Sequence, residues 1–202
     1  DSYVTLSSFQ AQFQAHLDRR VVRIPNGVDL GRFPVQPRQP GQRPLTVAAL
    51  GRLAPGKFPY RLLDYLPDLE ALDARVLIAG RGPRRWELEP EIARRGLSGR
   101  VQFVGPIRSR DVPAFLREAD VGLHLTEIAE EVHSITILEM LAAQLPIVSQ
   151  PRGCLPELVT QGFNGFLAED EASVAAALTR LLLSPALRHD LGPASRNRAA
   201  IY

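Results

Sequence analysis

Four side chains carry the chemistry this sequence could do. Arg52 and Lys57 lie in a glycine- and proline-rich stretch, Gly51-Arg52-Leu53-Ala54-Pro55-Gly56-Lys57, and Glu131 and Glu139 stand eight positions apart further on. A guanidinium fork and an ammonium point charge on one loop suit a diphosphate. Carboxylates accept hydrogen bonds from hydroxyls, so the two glutamates suit a sugar and a ribose. Together the residue types fit a nucleotide sugar. Each also has a plainer explanation. Lys57, the only lysine among 24 basic residues, could be there by chance. Glu131 could be solvated loop, and Glu139 could pair with a core arginine or backbone amides.

Glu139 is the sharper of the two acids. Ile135, Ile137, Leu138, Met140, Leu141, Ala142 and Ala143 surround it, a helix apolar almost all round and so expected to be buried. A buried carboxylate without partners is costly, and ligand hydroxyls would serve as partners.

The elements that must hold these groups follow a strand–helix rhythm. Short β-branched runs at 46–50, 75–79, 101–104, 120–125 and 146–149 alternate with amphipathic stretches at 59–67, 84–96, 110–118 and 134–143. A short apolar run, Gly165-Phe166-Leu167-Ala168, precedes two final helices at 171–183 and 185–199. Near-continuous apolar strands between helices predict a doubly wound, Rossmann-like parallel α/β sheet covered on both faces. With strand order 3-2-1-4-5-6, ligands bind between the first and fourth strands. The cations follow the first strand and the acids follow the fourth, so both belong to one crevice. A helix beginning near Ser134 would add its positive amino end as an anion site. Glu139 would then stand about 7 Å along it, at about 1.5 Å per residue.

Upstream, residues 3–6 and 21–24 read as strands, with a helix from Ser7 or Ser8 to about Leu17 between them, and Asn26-Gly27 is a turn signal. Pro34 to Pro44 holds four prolines without periodicity and reads as an extended linker. The expected organisation is therefore residues 1–33 as the tail of one unit, 34–44 as linker, and 45–202 as the domain proper.

Composition narrows the field. The 202 residues are 45% hydrophobic and 23% charged, as in ordinary globular proteins, and no apolar run reaches the roughly 20 residues that span a bilayer. A net charge of +2 without a dense basic and aromatic cluster gives no case for nucleic acid. Cys154 stands alone, which points to a reducing, cytoplasmic setting. Gly80-Arg81-Gly82-Pro83-Arg84-Arg85 lacks the third glycine of a dinucleotide fingerprint, and no P-loop occurs. His124 and His133 flank carboxylates without zinc spacing, so hydrogen-bonding roles are expected of them and no metal.

The sequence resembles the carboxyl-terminal, donor-binding half of GT-B-fold retaining glycosyltransferases of the family 4 type. The resemblance runs through Ile24-Pro-Asn-Gly-Val-Asp29 with Phe33, Gly51-Arg52 with Lys57, and Ala79-Gly80-Arg-Gly82-Pro83. It continues with Phe103-Val-Gly105, Ala119-Asp120-Val121, Glu131-x7-Glu139 and Leu145-Pro146-Ile-Val148, and closes with Pro156-Glu157-Leu-Val159 and Asn164-Gly165-Phe-Leu167. It implies transfer of a sugar from a nucleoside diphosphate sugar with retention, by front-face attack and without metal or other cofactor. Arg52 and Lys57 would neutralise the leaving diphosphate. Glu131 would hold donor-sugar hydroxyls and Glu139 the ribose. Backbone amides of Ser134, Ile135 and Thr136 would meet phosphate or sugar, and Gly105 to Ile107 would lie along the base. Gly51, Gly82 and His133 complete the implied donor-binding set.

Two departures stand out. Val132-His133-Ser134 replaces the usual Gly-Phe-Gly, and a loop about two residues longer lets Glu130 compete with Glu131. An unknown acceptor (glycan, lipid or small molecule) would be bound by an amino-terminal half, of which residues 1–33 resemble the last strand–helix–strand. The family's closing helix would also be incomplete at Tyr202. The chain alone is then expected to bind a donor without turning it over, in the cytoplasm or at the cytoplasmic membrane face. A nucleotide-sugar epimerase of the same fold and a non-catalytic nucleotide-sugar-binding module are the alternatives.

Overall fold

The structure is a computed structural model that describes residues 2–14, 20–35 and 44–202. Most of the expected linker, residues 36–43, lies outside the described residues, as does Leu17.

Strands β1 (Ser2–Thr5) and β2 (Arg20–Arg23) pair in parallel as a two-stranded sheet. Helix α1 (Ser8–Gln12) lies between them and starts where expected: the Ser7 side chain accepts the Gln10 amide at its amino end. It ends at Gln12, short of the expected Leu17. Asn26 and Asp29 then lead into a single 3-10 turn, Leu30–Arg32, where the Asp29 side chain accepts the Gly31 amide.

The larger sheet has six parallel strands: β3 (Leu45–Leu50), β4 (Ala74–Ala79), β5 (Val101–Gly105), β6 (Val121–His124), β7 (Ile147–Ser149) and β8 (Gly165–Leu167). Their spatial order is β5-β4-β3-β6-β7-β8, the expected doubly wound arrangement, with its reversal between β3 and β6. Asp120 locks that junction, because its carboxylate accepts the Thr46 amide at 2.8 Å and its own amide donates to the Thr46 carbonyl at 2.7 Å.

Helices α2 (Arg84–Arg94), α3 (Val112–Arg117), α4 (Ile135–Ala142), α5 (Leu155–Leu158), α6 (Glu171–Leu183) and α7 (Pro185–Ala199) cover the two faces. Strand alternation divides the core. Val47 and Ala49 face a cluster with Leu88, Leu178 and Leu181, whereas Ala48 between them faces Leu116, Leu138 and Leu158.

Two expectations fail in instructive ways. The stretch 59–67 is no α-helix; it holds one 3-10 turn, Leu62–Tyr65. Pro59 and Pro67 bracket it, and Leu66, preceding proline, is extended at ψ 141° as that position prefers. Nor is α4 buried all round. Ile137, Leu138, Met140, Leu141 and Ala142 are fully buried, but Ile135 is 53% exposed and Thr136 and Glu139 are half-buried on the same side.

Candidate functional site

That open side of α4 forms one wall of a cavity of about 560 Å³ at the carboxyl ends of the strands, where the strand order reverses. The loop after β3 contributes Gly51, Arg52 and Lys57. Ala79, Gly80 and Arg81 come from the end of β4, and Pro106, Ile107 and Ser109 from beyond β5. From β6 onward come His124, Glu131, His133 and Ser134, then Ile135, Thr136 and Glu139 on α4.

Ten of the twelve residues singled out in the sequence therefore share one cavity: Gly51, Arg52, Lys57, Ile107, Glu131, His133, Ser134, Ile135, Thr136 and Glu139. Gly82 and Gly105 do not line it. Gly82 has φ +152°, and a Cβ there would sit 2.1 Å from the Leu53 carbonyl oxygen, so it lets the loops after β3 and β4 touch. Gly105 ends β5 at φ +82°, and its carbonyl accepts the Gly80 amide at 2.9 Å. Both shape the loops that carry the wall.

The cation and acid loops meet directly. Lys57 Nζ lies 2.8 Å from Glu131 Oε2, in a pair whose acid side chain is only 10% exposed. Glu130, the competing acid, is exposed and does not line the cavity. Glu131 owes its place to a segment not singled out in the sequence. Cys154 donates its amide to the Glu131 carbonyl at 2.7 Å, and Gly153, at φ +51°, packs so closely that a Cβ would lie 2.2 Å from that oxygen. Cys154 itself is buried, which pushes its thiol up to about 12 and leaves it inert.

The Glu139 carboxylate, on the cavity wall, has no hydrogen-bond or ion-pair partner among the described residues, while its backbone carbonyl accepts the Ala143 amide at 3.0 Å. Burial raises its carboxyl above the usual range, and the charge of Arg32 pulls it partly back. Arg32 comes from the 3-10 turn after β2 and donates to both the carbonyl and the hydroxyl of Ser109 on the cavity wall. Ser134 caps α4 through its hydroxyl, which accepts the Ile137 amide at 3.4 Å, and the amides of Ile135 and Thr136 head the helix on the cavity side.

Burial disfavours the charged form of both histidines in the site. Both ring nitrogens of His133 are sealed from solvent and have no hydrogen-bond partner among the described residues, and the ring packs edge-on to Tyr202 at 5.2 Å. Burial lowers its pKa, and its carbonyl accepts the Asn26 side-chain amide at 3.1 Å, which ties the segment after β2, where the sequence signalled a turn, to the start of α4. His124 ends β6 with Nε2 sealed and without a hydrogen-bond partner among the described residues. Desolvation lowers it to about 4, outweighing the opposing pull of Glu131. Among the described residues no three His, Cys, Asp or Glu side chains cluster as a metal site requires, and no helix is long and apolar enough to cross a membrane.

Comparison with known proteins adds to this geometry. The sequence profile of the family described as Glycosyl transferases group 1 matches residues 35–198. A GDP-mannose-dependent alpha-(1-6)-phosphatidylinositol dimannoside mannosyltransferase of Mycobacterium tuberculosis is 32% identical over 191 residues, 90% of this chain and 48% of that protein. The glycogen synthase of Mycobacterium tuberculosis is 29% identical over 179 residues, 87% of this chain and 43% of the enzyme. The chain thus spans less than half the length of these curated relatives. Among solved structures, sucrose-phosphate synthase from Thermosynechococcus elongatus superposes with a TM-score of 0.84 at 21% identity, covering 100% of this chain and 54% of that one. The GT-B half-fold is therefore the fold of this chain.

Proposed function

Since this chain belongs to the group 1 glycosyl transferases, we propose that it is the nucleoside-diphosphate-sugar-binding half of a retaining glycosyltransferase of the family 4 type. One observation carries the reading. Arg52, Lys57, Glu131 and Glu139 come from separate loops and a helix, yet line a single cavity at the switch point of the sheet.

In this reading the diphosphate lies between the cations and the amino end of α4. Arg52 and Lys57 offset the charge that develops on the leaving group, and the amides of Ile135 and Thr136 add fixed donors. Lys57 would exchange part of its bond to Glu131 for phosphate oxygens. Glu131 would then be free to accept from hydroxyls of the donor sugar. Glu139, whose carboxylate has no partner among the described residues, accepts the ribose hydroxyls, and the Pro106-Ile107 wall lies along the base. The chain's own cations do the work a metal ion would otherwise do, so neither metal nor cofactor enters the step. The acceptor is bound by another part of a longer protein, and residues 1–33 belong to that side.

Calorimetry with UDP, GDP, ADP and NAD tests the donor site. At least one nucleoside diphosphate should bind and NAD should not. Arg52→Ala should weaken the diphosphate by at least about tenfold, the loss of one charge-assisted contact, while leaving the bare nucleoside within about twofold. Equal losses for both ligands would remove the phosphate role and, with it, the proposed function.

A further inference from the structure

The acid loop grips the Lys57 loop twice, and only one of the two grips, the Glu131 ion pair, is on Lys57 itself. The segment Arg52 to Tyr60 has little regular structure: the amides of Lys57 and Phe58 both donate to the Ala54 carbonyl, at 3.1 and 3.0 Å. The rest of its order comes from outside. Glu127, four residues before Glu131, accepts the Gly56 amide at 2.9 Å on Oε2 and the Tyr60 amide at 3.3 Å on Oε1. Its own amide donates to the Gly56 carbonyl at 2.8 Å, and the Thr126 hydroxyl donates to the same carbonyl at 3.2 Å. Gly56 takes φ +80° to present both faces of its peptide to this clasp. From α2, Arg84 donates Nη2 to Glu127 at 3.1 Å and Nε to the Phe58 carbonyl at 3.2 Å.

An acid placed beside an anion site should weaken the anion it faces. Here the Glu127 charge is directed into two backbone amides and a guanidinium, which offset it. We infer that Glu127 is a positioning residue for Lys57: it clasps the backbone on both sides of the lysine, with Arg84 closing the clasp, so that the ammonium group is delivered to the phosphate end of the cavity. Glu127 does not touch the donor; it acts through Lys57. The inference rests on the donor-site reading above, and its test is chosen so that the two can fail separately.

The experiment is a double-mutant cycle read by calorimetry with UDP, GDP and ADP, in parallel with amide hydrogen exchange followed by NMR. In the otherwise wild-type chain, Glu127→Ala should weaken the best-bound diphosphate by about tenfold and its bare nucleoside by less than about twofold. In a Lys57→Ala background the same change should have no further effect on diphosphate affinity, since the group it positions is gone. Glu127→Gln keeps one oxygen acceptor and loses the charge toward Arg84, so it should fall between. Exchange at Gly56 and Tyr60 should quicken by about tenfold in Glu127→Ala while β3 and β4 remain protected. Additive losses in the cycle, or equal losses for nucleoside and diphosphate, overturn the inference. If the wild-type chain binds none of the three diphosphates, the donor-site reading falls. Exchange then decides alone: unchanged rates at Gly56 and Tyr60 overturn the clasp and faster rates uphold it.

Discussion

Replacing Glu139 by alanine should move stability and binding in opposite directions, and a structural acid cannot do that. The carboxylate is half-buried, its carboxyl is raised by desolvation, and among the described residues nothing hydrogen-bonds to it. A raised carboxyl pKa means that the ionised form costs stability above the folded-state value, a cost that disappears as pH falls through it. Removing the group at neutral pH should therefore leave the fold at least as stable as wild type, with about 0.4 kcal/mol added by alanine's higher helix propensity. Apolar packing is not lost, because Ile137, Leu138, Met140 and Leu141 fill the core from the other faces of α4.

Binding should respond the other way. Hydroxyls donating to a carboxylate contribute about 2–3 kcal/mol, so a ribonucleoside diphosphate should bind about 30- to 150-fold more weakly. A 2′,3′-dideoxy counterpart, which lacks the donors, should bind wild type and variant alike. Calorimetry with the matched pair and thermal melts of both chains make the comparison. A melting temperature lowered by more than about 4 °C, worth over about 1 kcal/mol at this size, would refute the reasoning. So would equal losses for the ribose and dideoxy ligands.

Three further outcomes follow from the same geometry. Lys57→Ala strands the nearly buried Glu131 carboxylate and should cost about 3 kcal/mol in urea denaturation, whereas Glu131→Gln leaves a lysine that is 31% exposed and should cost less; the reverse order would contradict the pairing. His124 has a folded pKa of about 4 against about 6.5 unfolded, so the unfolded chain takes up the proton first and stability should fall by about 3 kcal/mol as pH drops from 6.5 to 4. His124→Leu should flatten that part of the pH–stability curve, and an unchanged slope would place the titration elsewhere. Gly153→Ala meets the Glu131 backbone at 2.2 Å, whereas Gly162→Ala, also at positive φ, meets nothing within 4 Å. The second should cost only about the 1–2 kcal/mol of a left-handed alanine and the first clearly more, as read from their denaturation midpoints.

The topology was legible because its signal is local. Short β-branched runs between right-handed crossover helices identify a doubly wound parallel sheet, and its common strand order 3-2-1-4-5-6, which this sheet adopts, brings the loops after β3 and β6 to one crevice. The helix expected at 59–67 failed for an equally local reason, two prolines whose effect outweighs the periodicity between them. Gly153, Glu127 and Arg32 were illegible for the opposite reason. Each acts on a residue far away in the chain: Gly153 on the backbone of Glu131, Glu127 on Gly56 and Tyr60, Arg32 on Ser109 and Glu139. A clasp between loops leaves no period and no spacing to read. Gly82 and Gly105 show the converse, since a glycine near a site signals a close approach without saying whether ligand or backbone is the one approaching.

Helix α4 shows why the acid was noticed and its surroundings misjudged. Hydrophobicity along a helix reports which faces prefer to leave water, and it cannot distinguish a face covered by protein from a face that forms the wall of a binding cavity. Ile135 lies one turn before Glu139 on the same side, and at 53% exposed it reads as core in the sequence while standing on the cavity wall. An acid amid apolar residues is therefore weak evidence of burial and better evidence of a boundary, where an apolar wall ends and one polar group is kept for a partner. In α4 that boundary falls at Glu139, one turn beyond the helix-initial amides, where the proposed function puts the ribose.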